Sequence, residues 1–138
     1  MKVCILYAAK SNNNSYIKSI AASLARGVEQ QNHIVDIIDM KLDEGKIVSY
    51  YDYIIVGCES MTTFGGKIPT VVRSFLERSG AISGKRCMAF ACKPGLRSNK
   101  TLQAVMKVME EQGMFLKTSD VIKNDAQAVA IGKRLHIK

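Results

Sequence analysis

The feature that most constrains this fold is the alternation of continuous apolar runs with segments of helical periodicity. Residues 3–7, 53–58 and 87–92 are almost entirely apolar. Such runs are typical of strands that are buried on both faces of a parallel sheet. Residues 33–39 and 115–122 are less apolar and add a second and a fifth strand. The sequence therefore predicts a sheet of five strands.

Helices are predicted between these strands. From Ile17 to Val28, apolar residues recur at steps of three and four, which is typical of an amphipathic helix, and Ser15 or Asn14 is available as its N-cap. Pro69 fits the first turn of a second helix, which Gly80 ends. Two further helices are expected over about residues 98–113 and 124–135, the second with Asn124 or Asp125 as its N-cap. Residues 41–50 are expected to form a loop or a short helix. This alternation predicts a three-layer α/β/α sandwich with a parallel sheet and right-handed connections.

Length and composition limit the class of protein. A chain of 138 residues, 47% of them apolar, is expected to form a single domain over residues 1–138 with its own core. The mean hydropathy of +0.01 excludes a disordered chain. No apolar run reaches the roughly 18 residues that a membrane span needs, so no membrane partner is expected. The start of the chain lacks the pattern of a signal peptide, and we expect a cytoplasmic protein.

The four cysteines do not predict a metal site. They fall in apolar runs, without C-x-x-C spacing and away from both histidines, so they are expected to be buried core residues. Cys58 and Cys92 lie late in their strands and border the predicted site, but no neighbouring histidine would activate their thiols.

A net charge of +8 raises the question of nucleic acid. The cationic residues are dispersed over several elements and are not interleaved with aromatic residues, so no specific nucleic-acid binding is expected. The positive net charge is compatible with an acidic protein partner.

Ligands of such sheets bind where the strands end, at the point where the strand order reverses. The loops that begin at Ala9, Glu59 and Lys93 are therefore the candidates. The first runs through Lys10, Ser11, Asn12, Asn13, Asn14 and Ser15 directly into a helix, an arrangement that presents free N–H donors to an anion. The glycine patterns of dinucleotide and triphosphate loops are absent, which favours a smaller phosphate ester.

Three stretches of this chain resemble the flavodoxin-like family. Residues 6–14 stand at the position of the family's FMN phosphate loop, and residues 62–69 are similar to the Thr-x-Phe-Gly loop of its quinone reductases. Residues 84–90 are similar to the family's fourth strand. The resemblance implies the strand order 2-1-3-4-5 and bound FMN. The phosphate loop departs from the family pattern at Ala9, Asn12 and Asn14, where the family has a hydroxyl, a glycine and a threonine.

The resemblance also implies which residues hold FMN. The phosphate is expected at residues 10–15, and the flavin ring is expected against Ser60, Met61, Thr62, Thr63, Phe64, Gly65 and Gly66, with Cys92, Lys93, Pro94 and Gly95 at its other edge. No catalytic side chain is implied, because the flavin carries the chemistry.

The function implied is electron or hydride transfer through FMN, in a carrier or an FMN-dependent oxidoreductase. The expected partner is a redox protein, NAD(P)H or a small-molecule acceptor. The alternative is a binding or regulatory module of the same fold in which FMN binding is weakened or lost. A signalling receiver domain would need acidic residues after its first strand, where this chain has Ala8 and Ala9.

Overall fold

The computed structural model describes residues 1–10, 16–59, 67–92 and 98–137. Within them, five strands alternate with four helices: β1 (Lys2–Ala8), α1 (Tyr16–Glu29), β2 (Ile34–Asp39), β3 (Tyr53–Cys58), α2 (Val71–Glu77), β4 (Arg86–Cys92), α3 (Ser98–Glu111), β5 (Phe115–Ile122) and α4 (Asp125–Arg134). All strands are parallel and their order is β2-β1-β3-β4-β5. The predicted fold class and strand order are confirmed.

The sheet is covered by two helices on each face. Side chains such as Leu6 and Val56 point to one face, where they pack with α2 and α3. Their neighbours in sequence, such as Ile5 and Ile55, point to the other face and pack with α1 and α4. Every residue of β3 is buried, as its continuous apolar run predicted, whereas most residues of the edge strands β2 and β5 are exposed or half-buried.

Several local predictions can now be compared with the structure. Helix α2 begins at Val71, so Pro69 precedes the helix and does not lie in its first turn. Residues 41–50 form turns and no helix. The Asn124 side chain caps α4 as predicted, because its Oδ1 accepts the backbone N–H of Gln127 at 2.8 Å. The predicted caps at Asn14 and Ser15 lie outside the described residues.

Helices α1 and α4 approach each other through two glycines. A Cβ added to Gly132 would lie 2.5 Å from the carbonyl oxygen of Leu24 and 2.9 Å from the Cα of Gly27. A Cβ added to Gly27 would likewise overlap the Val129 carbonyl oxygen. These neighbours are backbone atoms and cannot rotate away, so only glycine allows this packing.

We expect Gly132→Ala to destabilise the protein by about 1–3 kcal/mol, because the added methyl group separates the two helices. The sign is informative, since glycine to alanine in an open helix stabilises by about 1 kcal/mol. Urea unfolding monitored by circular dichroism measures the change, and Lys133→Ala on the same helix should alter stability by less than about 0.5 kcal/mol. A gain in stability for Gly132→Ala would contradict the observed contact.

Candidate functional site

The candidate site lies at the carboxyl end of the sheet, where β1, β3 and β4 end side by side. In the strand register, Ala8 pairs with Cys58 and Cys58 pairs with Ala91. Strand β1 also pairs with β2 on its other side, so the strand order reverses between β1 and β3. The loops that start at residues 9, 59 and 93 therefore begin next to one another, as the sequence predicted.

Most of the predicted cofactor residues fall outside the described part of the chain. Lys10 and Cys92 are described. Lys10 is exposed at the start of the first loop, and Cys92 is the last residue of β4, with 2% of its surface exposed. The remaining predicted residues, which stay predictions, are Ser11, Asn12, Asn13, Asn14, Ser15, Ser60, Met61, Thr62, Thr63, Phe64, Gly65, Gly66, Lys93, Pro94 and Gly95.

A buried carboxylate joins the first two loops. Glu59 follows β3 directly and is only 1% exposed. Its Oε1 accepts the backbone N–H of Lys10 at 3.1 Å, and its own N–H donates to the carbonyl oxygen of Ala8 at 3.3 Å. The loop that leaves β1 is thus bonded to the loop that leaves β3. From the sequence, Glu59 was predicted only to begin a loop, although an acidic residue directly after a buried strand was a usable signal.

A second contact holds the first loop from the other side. The ammonium group of Lys41, just after β2, donates to the carbonyl oxygen of Ala9. Nearby, the backbone N–H of Met40 donates to the carbonyl oxygen of Tyr7 at 2.9 Å. Burial raises the pKa of the Tyr7 hydroxyl, and the neighbouring carboxylate of Asp39 raises it further. Residues 9 and 10 are consequently held by Lys41, which follows β2, and by Glu59, which follows β3.

The start of α1 is fixed against the start of α4. The Tyr16 hydroxyl donates to the carbonyl oxygen of Lys123. The hydroxyl groups of Ser19 and Ser23 donate to the Asp125 carboxylate at 2.9 and 3.0 Å. Burial raises the pKa of Tyr16, and the neighbouring groups Cys92, Asp125 and Glu59 add to the shift. Tyr16 therefore lies close to the ends of both β3 and β4.

The electrostatics of this end suit an anion. Helices α1 and α3 both begin here, and neither has an acidic residue in its first turn. The first turn of a helix carries a partial positive charge and free N–H groups. Asp125 occupies the first turn of α4 and is already hydrogen-bonded to serines of α1. The first turns of α1 and α3 thus contain no carboxylate that would neutralise their partial positive charges.

An aromatic ring fills the space beside the end of β3. Phe90 on β4 is fully buried, and its ring occupies the position that a Cβ on Gly57 would take. The two residues are register partners. Any larger residue at position 57 would displace this ring, so the glycine lets Phe90 pack across β3 in the core on the α1 and α4 face of the sheet.

The side chains of the described residues offer little chemical reactivity of their own. All four cysteines lie in the described part of the chain, where they are buried and form no disulfide bond. Burial raises the pKa of Cys4 and Cys58 strongly and that of Cys87 to about 12. In the described ranges, no group of three histidine, cysteine or acidic side chains can hold a metal ion. No described helix has the length and apolar character needed to cross a lipid bilayer.

Comparison with solved structures identifies the architecture. The chain is similar to oxidised flavodoxin 1 from Bacillus cereus, with 17% identity and a TM-score of 0.76 over 99% of this chain and 100% of that one. The two-electron reduced flavodoxin of Megasphaera elsdenii has 17% identity and a TM-score of 0.73, covering 95% of this chain and 96% of that one. The protein has a flavodoxin-like fold.

A flavone reductase shares the flavodoxin-like fold within a longer chain. It is 12% identical, with a TM-score of 0.69, over 96% of this chain and 61% of the reductase. No protein-family model matches the sequence, and no curated protein matches it significantly. The flavodoxin-like fold is therefore recognised from the structure and not from sequence identity.

We expect Glu59→Ala to loosen the first loop, because it leaves the Lys10 N–H without its acceptor. The loss of a hydrogen bond to a charged group should reduce the free energy of unfolding by about 1.5–3 kcal/mol. Amide hydrogen exchange followed by NMR should show faster exchange at Lys10. Glu59→Gln is the matched control, since its carbonyl oxygen can still accept this bond. Equal exchange rates at Lys10 in the two variants would contradict the role of Glu59.

We also expect the cysteines to resist thiol reagents in the folded protein. At a pH below the ordinary thiol pKa of 9.0, the thiols are neutral in the folded and the unfolded protein, so their burial carries no ionisation penalty. As the pH rises from 9.0 towards the raised pKa of the folded state, only the unfolded thiols ionise, and the free energy of unfolding should fall. Labelling with a chromogenic disulfide at neutral pH should be slow and should become fast in denaturant. Fast labelling of any cysteine in the native protein would show an exposed or activated thiol.

Proposed function

We propose that this protein binds FMN at the carboxyl ends of β1, β3 and β4 and takes part in electron or hydride transfer. The observation that carries the proposal is the junction at Glu59, which joins the starts of two loops at the point where the strand order reverses. The flavodoxin-like fold supports the same reading, because similar proteins have been solved as oxidised and as two-electron reduced flavodoxins.

The phosphate of FMN is assigned to Ser11–Ser15, between the end of β1 and the start of α1. The first turn of α1 contains no acidic residue, and its partial positive charge favours a dianion there. Lys10 adds a positive charge at the entrance, while its backbone N–H is already bonded to Glu59. Phosphate contacts would therefore come from the amides, hydroxyls and carboxamides that follow Lys10.

The flavin ring is assigned to the loop after β3, with the loop after β4 at its other edge. Backbone N–H groups of Thr63 to Gly66 would lie near the ring, and Phe64 would pack against it. Bound FMN supplies the chemistry of accepting and donating electrons or hydride, and the protein supplies orientation and electrostatics. Cys92, buried at the end of β4, would border this site without reacting.

The partner is proposed to be an acidic redox protein, or NAD(P)H and a small-molecule acceptor. The net charge of +8 favours encounter with negatively charged molecules. Most of this charge is dispersed, so binding to random duplex DNA should be weak and salt-sensitive near physiological ionic strength.

One observation favours the second candidate, a flavodoxin-fold binding module with weak or lost FMN affinity. Ala9 is 6% exposed and has no hydroxyl group, so the side chain at position 9 offers no hydrogen-bond donor to a phosphate. Each missing hydrogen bond to a charged group is worth about 1.5–3 kcal/mol, which corresponds to roughly 10–100-fold in affinity.

Titration of FMN fluorescence tests both candidates. We expect Asn14→Asp to weaken FMN binding by roughly 10–100-fold, because it places a negative charge beside the phosphate and removes a donor. Asn32→Asp is the matched control, since it makes the same change at the far end of α1. Phe64→Ala should alter the spectrum and potential of the bound flavin, and Phe115→Ala, on β5, should alter neither.

The outcomes separate the candidates. Binding that neither Asn14→Asp nor Phe64→Ala changes would show that the FMN site has been misplaced. The absence of binding at millimolar FMN would favour the flavin-free binding module.

A further inference from the structure

A cavity lies on the α4 face of the sheet and reaches its amino end at Tyr53. It has a volume of about 400 Å³, and its lining includes Tyr53 at the start of β3 and Met88 on β4. One wall is β5, and the other is the last turn of α4 with the residues that follow it. This volume falls in the range of small-molecule sites.

Tyr53 gives this cavity an unused hydrogen-bond donor. Its side chain is fully buried, and among the described residues its hydroxyl has no hydrogen-bond partner. Burial is the largest cause that raises the pKa of Tyr53 to about 12, so the hydroxyl keeps its proton at neutral pH. A buried donor without an acceptor is costly, and such groups usually meet water or a ligand.

The charges around the cavity favour an anion. Lys117 on β5 and Arg134 on α4 line it, against one carboxylate, Asp120. His136 lies at the same wall. Arg86, beside Tyr53 on the neighbouring strand, adds a further positive charge, as its lowering effect on the pKa of Tyr53 shows. The Asp120 Oδ1 already accepts its neighbour's N–H, that of Val121, at 2.9 Å.

The remaining lining is apolar. Met88 is 1% exposed and Leu135 is 7% exposed, and both belong to the core cluster of this face. Ile131 on α4 extends this surface to the cavity. An inorganic anion would leave these side chains without a partner, whereas a carboxylate with an apolar body would cover them.

We propose that this cavity binds a small organic carboxylate with an apolar or aromatic body. The carboxylate of this ligand accepts a hydrogen bond from the Tyr53 hydroxyl and faces Arg134 and Lys117. The site is separate from the proposed FMN site. Tyr53 and Cys58 are the first and last residues of β3, so Tyr53 lies about 17 Å along the sheet from the strand end that carries the proposed FMN site. The proposal does not depend on FMN binding.

The test uses phenylacetate as the probe and follows amide chemical shifts by NMR. We expect saturable shifts at Tyr53, Met88 and Lys117. Phenylacetamide, which lacks the charge, and inorganic phosphate, which lacks the apolar body, should each bind at least about tenfold more weakly. Equal binding of either compound, or no saturable binding of phenylacetate, would overturn the proposal.

Two variants assign the contacts. Tyr53→Phe and Arg134→Gln should each weaken phenylacetate by about tenfold or more. The matched control is Lys133→Gln, an exposed neighbour of Arg134 that does not line the cavity, and it should retain affinity. Arg134→Gln keeps the test valid if Tyr53→Phe fails to fold. Unchanged affinity in a folded Tyr53→Phe or Arg134→Gln variant would refute the site, whatever the result of FMN titration.

Discussion

The pairing of β1 with both β2 and β3 is the interaction on which the rest of this structure depends. Because all three strands are parallel, each connection between them must pass over one face of the sheet to reach the start of the next strand. The helices of the chain cover both faces. The same pairing reverses the strand order beside β1 and brings residues 9 and 59 together. Glu59 then bonds to the Lys10 N–H, and the two loops share one buried carboxylate. The candidate site is thus a consequence of the sheet order.

Small residues set how closely the layers approach. Gly27 and Gly132 let α1 and α4 pack backbone against backbone, and the serines of α1 reach Asp125 near the start of α4. Phe90 fills the space beside Gly57 on the adjacent strand. These contacts position the starts of α1 and α4 and the ends of β3 and β4 around one point. Stability and the geometry of the candidate site therefore rest on the same packing.

The sequence predicted the strands well because a strand buried on both faces has a continuous apolar pattern, as β3 shows. The strand order came from resemblance to a family, and solved flavodoxins share that fold. The pattern did not reveal the bond from Glu59 to Lys10, the contact of Gly27 with Gly132 or the unpartnered hydroxyl of Tyr53. Each of these joins residues far apart in the chain or depends on burial, which local periodicity does not record. The start of α2 was also misplaced, because Pro69 is compatible with a first turn as well as with the residue before it.

The two ends of the sheet have different chemistry: helix N-termini and polar loops at one end, and a cationic cavity with a buried hydroxyl at the other. The central claim is that FMN occupies the first of these ends. The most direct measurement is a map of backbone amide shifts as FMN is added to the isotopically labelled protein. The account predicts the largest shifts at Lys10, Glu59 and Cys92 and in the loops that follow them. Shifts confined to Tyr53, Lys117 and the end of α4 would contradict it.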